Sequence, residues 1–196
     1  MDDQRARRAL EIIDSSLKRL LALVNAAQRF DNNTADLIEA PRVPTNLTQI
    51  VGEATLNFRE IMAGRDIRLI RRLDDAVMVR AGRGMLEIVL QNVLENATSF
   101  SPRGSTIVLT LTQSHDAVEL QVDDEGPGIP FDQIDRVFER YFSSRPRQGD
   151  GEPPPHSGLG LWIVRRNVEA LGGQVSASNR IGGGLSIAIV LPRNDD

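Results

Sequence analysis

Three short stretches of the chain carry groups able to hold a nucleotide or a metal ion. In "LQNVLENATSF", Asn92 and Asn96 are four residues apart, so a helix stacks them on one face, and Ser99 continues the stripe. Amide oxygens are hard, neutral ligands, suited to Mg²⁺, which takes the rest of its shell from water and substrate phosphates. Taken alone, an Asn-x-x-x-Asn pair is more commonly two surface amides. In "VDDEGPGIP", Asp124 closes an alternating run and is followed by Gly126 and Gly128. A carboxylate at a strand end can accept a hydrogen bond from the exocyclic amine of adenine, and a glycine two residues on lets backbone approach the ring. The same residues also make a plain turn. In "HSGLGLWIV", Gly158 and Gly160 open a helix, where exposed N–H groups and the positive end of the dipole attract phosphate. Each pattern is weak by itself; the three in this order are specific together.

Stepping outward from these residues, the helix that carries Asn92 and Asn96 is expected from about Gly84 to Phe100, with Leu86, Val89, Leu90, Val93 and Ala97 inward. "STIVLTLTQSHDAVELQVD" is two alternating runs joined by a polar turn, a β-hairpin that ends at Asp124, with Asp123 and Glu125 read as solvated flanks. A short helix is expected over Asp132–Tyr141 and another over Leu159–Leu171, stopped by Gly172 and Gly173. Between them "SSRPRQGDGEPPPHSG" has no periodicity and reads as a functional loop. "QVSAS" and "LSIAIVLP" form a closing hairpin around "NRIGGG".

Upstream, a helix should start near Asn46, whose side chain can cap with Gln49 three residues on. Its apolar face is Leu47, Ile50, Val51, Ala54, Phe58 and Ile61, and Gly64 ends it. Short strands follow at "DIRLI" and "AVMVR". The sum is an α+β fold, a mixed, largely antiparallel sheet covered by helices on one face. It is preceded by a long N-terminal helix in which Leu10, Ile13, Leu17, Leu20, Val24 and Ala27 keep an a/d spacing that calls for a partner helix. "APRVP", Ala40 to Pro44, reads as the linker between the two.

Composition narrows the class. Of the 196 residues only 4% are aromatic against 40% hydrophobic, so the core must be aliphatic. The net charge of -4 argues against a nucleic-acid binder, because neutralising phosphates wants a basic surface. With no cysteine there is neither a disulfide framework nor a thiolate metal site. No apolar run reaches membrane-span length, so any membrane link would lie in segments outside this sequence.

"LQNVLENATSFSP", "DDEGPGIP", "VFERYF", "HSGLGLWIV" and "GGQVSASNRIGGGLSIAIVLP" resemble, in order and spacing, the N, G1, F, G2 and terminal glycine-rich boxes of bacterial sensor histidine kinases. The resemblance implies a Bergerat ATP-binding fold over residues 41–196. Residues 1–40 would supply the second helix of the dimerisation and phosphotransfer hairpin plus a linker. It implies ATP and Mg²⁺ as cofactors, with Asn96 as metal ligand and Asn92 as its phosphate-side or metal-side partner. Asp124 would read adenine, with Gly126, Gly128 and Ile129 along the ring. Gly158, Leu159, Gly160 and Leu161 would border the phosphates, and residues 143–156 would be the ATP lid, anchored by Phe138 and Phe142. Arg140 and Arg145 are candidates to contact the triphosphate.

The chain departs from the family pattern at Ser99, where a lysine is common, at His156, where the G2 box usually opens with glycine, and at Leu185, where a small polar residue often stands. Neither of its two histidines, His115 and His156, lies in a phosphoacceptor motif. The resemblance therefore implies a kinase domain that passes the γ-phosphoryl group to a histidine on a segment outside this chain. From there it would be relayed to a response regulator, in a cytoplasmic homodimer tied to the inner membrane by other segments. Alternatives of the same fold are a catalytically degenerate nucleotide-binding or scaffold module, an anti-sigma-factor serine kinase, and an ATPase like gyrase, Hsp90 and MutL. That ATPase would need a water-activating glutamate where Asn92 stands.

Overall fold

A computed structural model of the chain describes residues 41–142 and 158–193. The heptad helix, the expected lid, Arg145 and His156 lie outside the described residues.

The alternating segments build a five-stranded sheet. β2 is Arg68–Leu73, β4 Thr106–Gln113, β5 Ala117–Asp123, β6 Gln174–Asn179 and β7 Leu185–Pro192, in the spatial order β2-β4-β5-β7-β6. All neighbours are antiparallel except β2 and β4, which run parallel. The register puts Leu109, Val122, Ile187 and Ala177 in one row and Leu111, Leu120, Ile189 and Val175 in the next. Because side chains alternate across a strand, both rows face the same side. The opposite face shows Thr110, Gln121, Ala188 and Ser176.

Three helices cover the apolar face: α1 (Leu47–Asn57), α3 (Arg83–Phe100) and α4 (Gly160–Ala170), with α3 packed between the other two. α3 buries Leu86, Val89, Leu90, Val93 and Ala97 as its spacing predicts, and adds Met85, Leu94 and Thr98. The core is aliphatic, as the scarcity of rings requires. Asn46 caps α1, its Oδ1 accepting from the Gln49 N–H at 3.0 Å. Gln49 does not complete a capping box, since its side chain donates to Glu53 instead.

Three elements differ from the sequence reading. "APRVP" is not only a connection: Val43–Asn46 forms β1, antiparallel to β3 (Met78–Ala81) in a separate two-stranded ribbon. Pro44 conceals this strand, yet a ribbon with a free edge tolerates a missing N–H. The single helix expected from Asn46 to Gly64 breaks at Phe58 into α1 and the short α2 (Arg59–Gly64). Met62 is then buried at 3% exposure while Ile61 is turned out at 53%. From Phe58, steps of three and four both fit helical spacing, and the structure takes the longer step. Finally, the helix expected over Asp132–Tyr141 is one 3₁₀ run, Phe131–Arg136, followed by turns that bury Val137 and Phe138.

Candidate functional site

Asp124 leaves the end of β5 and is almost fully buried, with 3% of its surface exposed. Oδ1 accepts from the N–H of Gly126 at 2.7 Å and from that of Leu185 at 3.1 Å. Its main chain is held as well: the Asp124 N–H donates to Leu185 O at 2.9 Å, and Arg180 Nη1 donates to Asp124 O at 2.6 Å. The carboxylate is thereby fixed by one oxygen, and Oδ2 accepts no hydrogen bond among the described residues. Burial pushes this carboxyl's pKa up from its ordinary value, opposed by the two N–H donors and by the charge of Arg180. Glu125, read as solvated, is exposed, and it also accepts from the Thr106 N–H at 2.9 Å at the start of β4.

The glycines after Asp124 are required by packing. A Cβ on Gly126 would lie 2.9 Å from Asp124 Oδ1 and 3.0 Å from the carbonyl oxygen of Phe100. Gly128 has φ +70, and a Cβ there would meet Asn179 Oδ1 at 2.6 Å. Ile129 beside it is gripped at both backbone groups: its N–H donates to Asn179 Oδ1 at 2.8 Å, and its carbonyl accepts from Asn179 Nδ2 at 2.7 Å.

Midway along α3, Asn92 donates its Nδ2 to Ile88 O at 2.8 Å and turns Oδ1 toward Gly160, where an added Cβ would stand 3.1 Å away. Asn96, one turn along, is half-buried, and its side chain makes no hydrogen bond among the described residues. Gly160 opens α4, whose N-terminus has no side-chain cap. α3 thus touches the glycine-opened helix near Asn92 and the Gly126 turn at Phe100. Those positions are eight residues apart, about 12 Å along a helix, comparable to the reach of a nucleotide from base to phosphates.

Magnesium fits this donor set. One neutral amide oxygen, that of Asn92, faces the helix opening, the Asn96 amide lies one turn along the same helix, and no cluster of three acidic, His or Cys side chains exists among the described residues. An ion here would depend on the amides, water and the phosphates themselves.

The remaining expected residues among those described pack against the frame. Leu159 and Phe138 are buried, and Leu161 and Phe142 pack against the core, seating the start of α4 and the turn before it. Gly158, with φ +65, lies against the backbone of Tyr141 and Phe142; a Cβ on it would be 2.6 Å from Phe142 O. The guanidinium of Arg140 sits 4.6 Å from the Trp162 ring centroid and 5.4 Å from that of Tyr141.

A profile of the family described as "Histidine kinase-, DNA gyrase B-, and HSP90-like ATPase" matches residues 81–195, over half the chain. The chain belongs to this ATPase family. Within it, the protein is similar to the signal transduction histidine-protein kinase BaeS of Escherichia coli, 29% identical over 187 residues that cover 94% of this chain and 39% of BaeS. The structure of the mycobacterial sensor histidine kinase MprB superimposes with a TM-score of 0.67 at 31% identity, covering 77% of this chain and 97% of that one. Full-length ShkA in complex with AMPPNP gives 0.72 at 26% identity, covering 95% of this chain and 38% of ShkA. The protein is the ATP-binding catalytic portion of a sensor histidine kinase. It spans well under half the length of BaeS.

Sequence reasoning missed Asn179, Arg180 and Gly184, all in "NRIGGG". Gly182, Gly183 and Gly184 have φ +95, +105 and +99, more left-handed backbone than a simple hairpin turn needs. That run of three glycines was the available signal that another segment comes close.

Proposed function

We propose that this protein binds ATP with Mg²⁺ and transfers the γ-phosphoryl group to a histidine outside this sequence, from which a response regulator's aspartate takes it. The observation that carries the reading is Asp124, buried, locked through Oδ1 and open at Oδ2. A hydrogen bond from the exocyclic amine of adenine would satisfy that oxygen and select the base. The backbone at Gly126, Gly128 and Ile129 would border the ring. The N-terminal N–H groups of α4 would take the phosphates, and Arg140 and Arg145 would add charge.

Asn96, with Asn92 beside it, would hold the metal. Bound there, Mg²⁺ supplies neutralisation of phosphate charge. The acceptor imidazole attacks the γ-phosphorus, an N–P bond forms, the bond to the β–γ bridging oxygen breaks, and ADP leaves. The chain's own contribution is positioning, as in phosphoryl transfer generally. Hydrolysis is the less suitable reaction, since the side chain facing Gly160 is the amide of Asn92 and Glu95 is exposed. Residues 1–40 fit the second hairpin helix and linker of a homodimer, and 41–196 the catalytic domain. A cytoplasmic placement, with any membrane attachment through other segments, follows from the same reading. Among the described residues no helix is long and apolar enough to cross a membrane.

The test is calorimetric titration of ATP and ADP with and without Mg²⁺, on the wild type, Asp124→Ala and Asn96→Ala, followed by phosphorylation of a separately supplied acceptor-helix fragment. Binding that is lost in Asp124→Ala and loses its Mg²⁺ dependence in Asn96→Ala, together with labelling of the fragment, is the expected result. A wild type that binds ATP yet never labels the fragment would leave a nucleotide-binding scaffold.

A further inference from the structure

We propose that the β6–β7 turn is a working wall of the nucleotide site, with Asn179 and Arg180 as positioning residues for the adenine-reading Asp124. The inference rests on the ATP-binding reading and deepens it. Asn179 and Ile129 are fifty residues apart in the chain, yet one amide holds both backbone groups of Ile129, at 2.8 and 2.7 Å. Asn179 is exposed. Water could satisfy the same groups, so the double bond is not demanded by burial. What the clamp accomplishes is placement: it interlocks with Gly128, which has no Cβ to push the amide away, and fixes the stretch that follows Asp124 against the end of β6.

Arg180 acts on Asp124 itself. Its guanidinium donates to the Asp124 carbonyl at 2.6 Å, and its own N–H donates to Gly184 O at 3.0 Å, which closes the turn. Gly184 is packed so closely on the Asp124 carbonyl that an added Cβ would overlap it. With Leu185 gripping both the N–H and Oδ1 of Asp124, the turn determines where the carboxylate points.

Charge gives the turn a second effect. The charged groups acting on Asp124 are Arg180, which favours the carboxylate, and Asp123 of β5, which opposes it. Phe100 at the end of α3 and Leu185 of β7 present only uncharged groups. Arg180 therefore adds to the two backbone N–H donors in opposing the burial of Asp124, and favours the form that accepts from an amine. Asn179 contributes position alone, whereas Arg180 adds a charge to its positioning contact, so the two effects are separable.

The experiment uses the whole 196-residue chain and four forms: wild type, Asn179→Ala, Arg180→Lys and Arg180→Gln. ATP is titrated calorimetrically across a pH series. The ¹³C resonance of the Asp124 carboxyl is followed with pH in the nucleotide-free protein, and a thermal melt of each form checks folding. Asn179→Ala should weaken ATP about tenfold with little change in melting temperature, because a misplaced wall loses geometry rather than fold. Arg180→Gln should move the acid limb of ATP binding and the carboxyl titration together to higher pH, whereas Arg180→Lys, which keeps the charge, should leave the titration near wild type. Wild-type affinity in Asn179→Ala, or an unmoved carboxyl titration in Arg180→Gln, overturns the inference while the ATP reading stands. A wild type that binds no ATP sinks both. If Asn179→Ala fails to fold, the Lys and Gln pair at Arg180 still decides.

Discussion

At Asp124 the two oxygens do different work. Oδ1 is committed to two backbone N–H groups, and Oδ2 is left for the proposed contact with adenine. An asparagine here can keep the first role, because its carbonyl oxygen accepts those same bonds, but it then presents an NH₂ where adenine presents another donor. Asp124→Asn should lose about a hundredfold in ATP affinity, since a site built around a hydrogen bond rejects a mismatched partner strongly. Preference should move toward ITP, whose ring offers a carbonyl at that place; competition titration reads both. Stability should move the other way. Burial raises the pKa of Asp124, so its contribution to stability is full below the ordinary carboxylate pKa and is lost as pH rises through the raised folded value. The asparagine variant lacks that loss, and its melting temperature at neutral pH should equal or exceed wild type. A lower melting temperature together with unchanged ATP binding would contradict the assignment.

Among the elements, the β6–β7 turn shows what a sequence conveys and what it hides. Asp124, Gly126 and Gly128 are legible because their relation is local: a strand end followed by residues without a Cβ. Asn179, Arg180 and Gly184 meet that strand end from more than fifty residues away, and no spacing within "NRIGGG" states which segment approaches. The same limit explains the other differences. Pro44 masked β1 because ribbon pairing with β3 is non-local, and Ile61 was misplaced because periodicity does not distinguish a step of three from one of four. α3, β4 and β5 were plain, since each carries its own buried face in its own repeat. The turn also supplies an internal comparison. Gly182 and Gly184 both have left-handed φ, but a Cβ on Gly182 meets nothing within 4 Å while one on Gly184 overlaps Asp124 O. Gly182→Ala should cost about 1–2 kcal/mol from backbone conformation alone. Gly184→Ala should cost clearly more and abolish ATP binding, as urea unfolding and calorimetry would show. Equal costs at the two positions would mean that the close approach to Asp124 is unimportant.

Across the whole molecule the sheet has one dry face and one wet face, and the candidate site residues lie along α3, at the start of α4 and just past the end of β5. Leu109 and Thr110 are adjacent in β4 and point oppositely. Leu109→Ala should cost about 2–5 kcal/mol and Thr110→Ala less than about 1 kcal/mol in urea unfolding, the difference between a core cavity and a surface change. Comparable losses would place the core elsewhere. Gly158, pressed against Tyr141 and Phe142, has a consequence for how such a protein can diversify. Phe142 and Gly158, which flank residues 143–157, already meet, so the sandwich fixes where the chain leaves and returns whatever lies between. Chain-closure entropy grows only logarithmically, and doubling the number of residues between those ends costs only about 0.6 kcal/mol. Insertions and deletions there are nearly neutral to folding, and that stretch is free to be rewritten in length and sequence while the scaffold that flanks it stays the same.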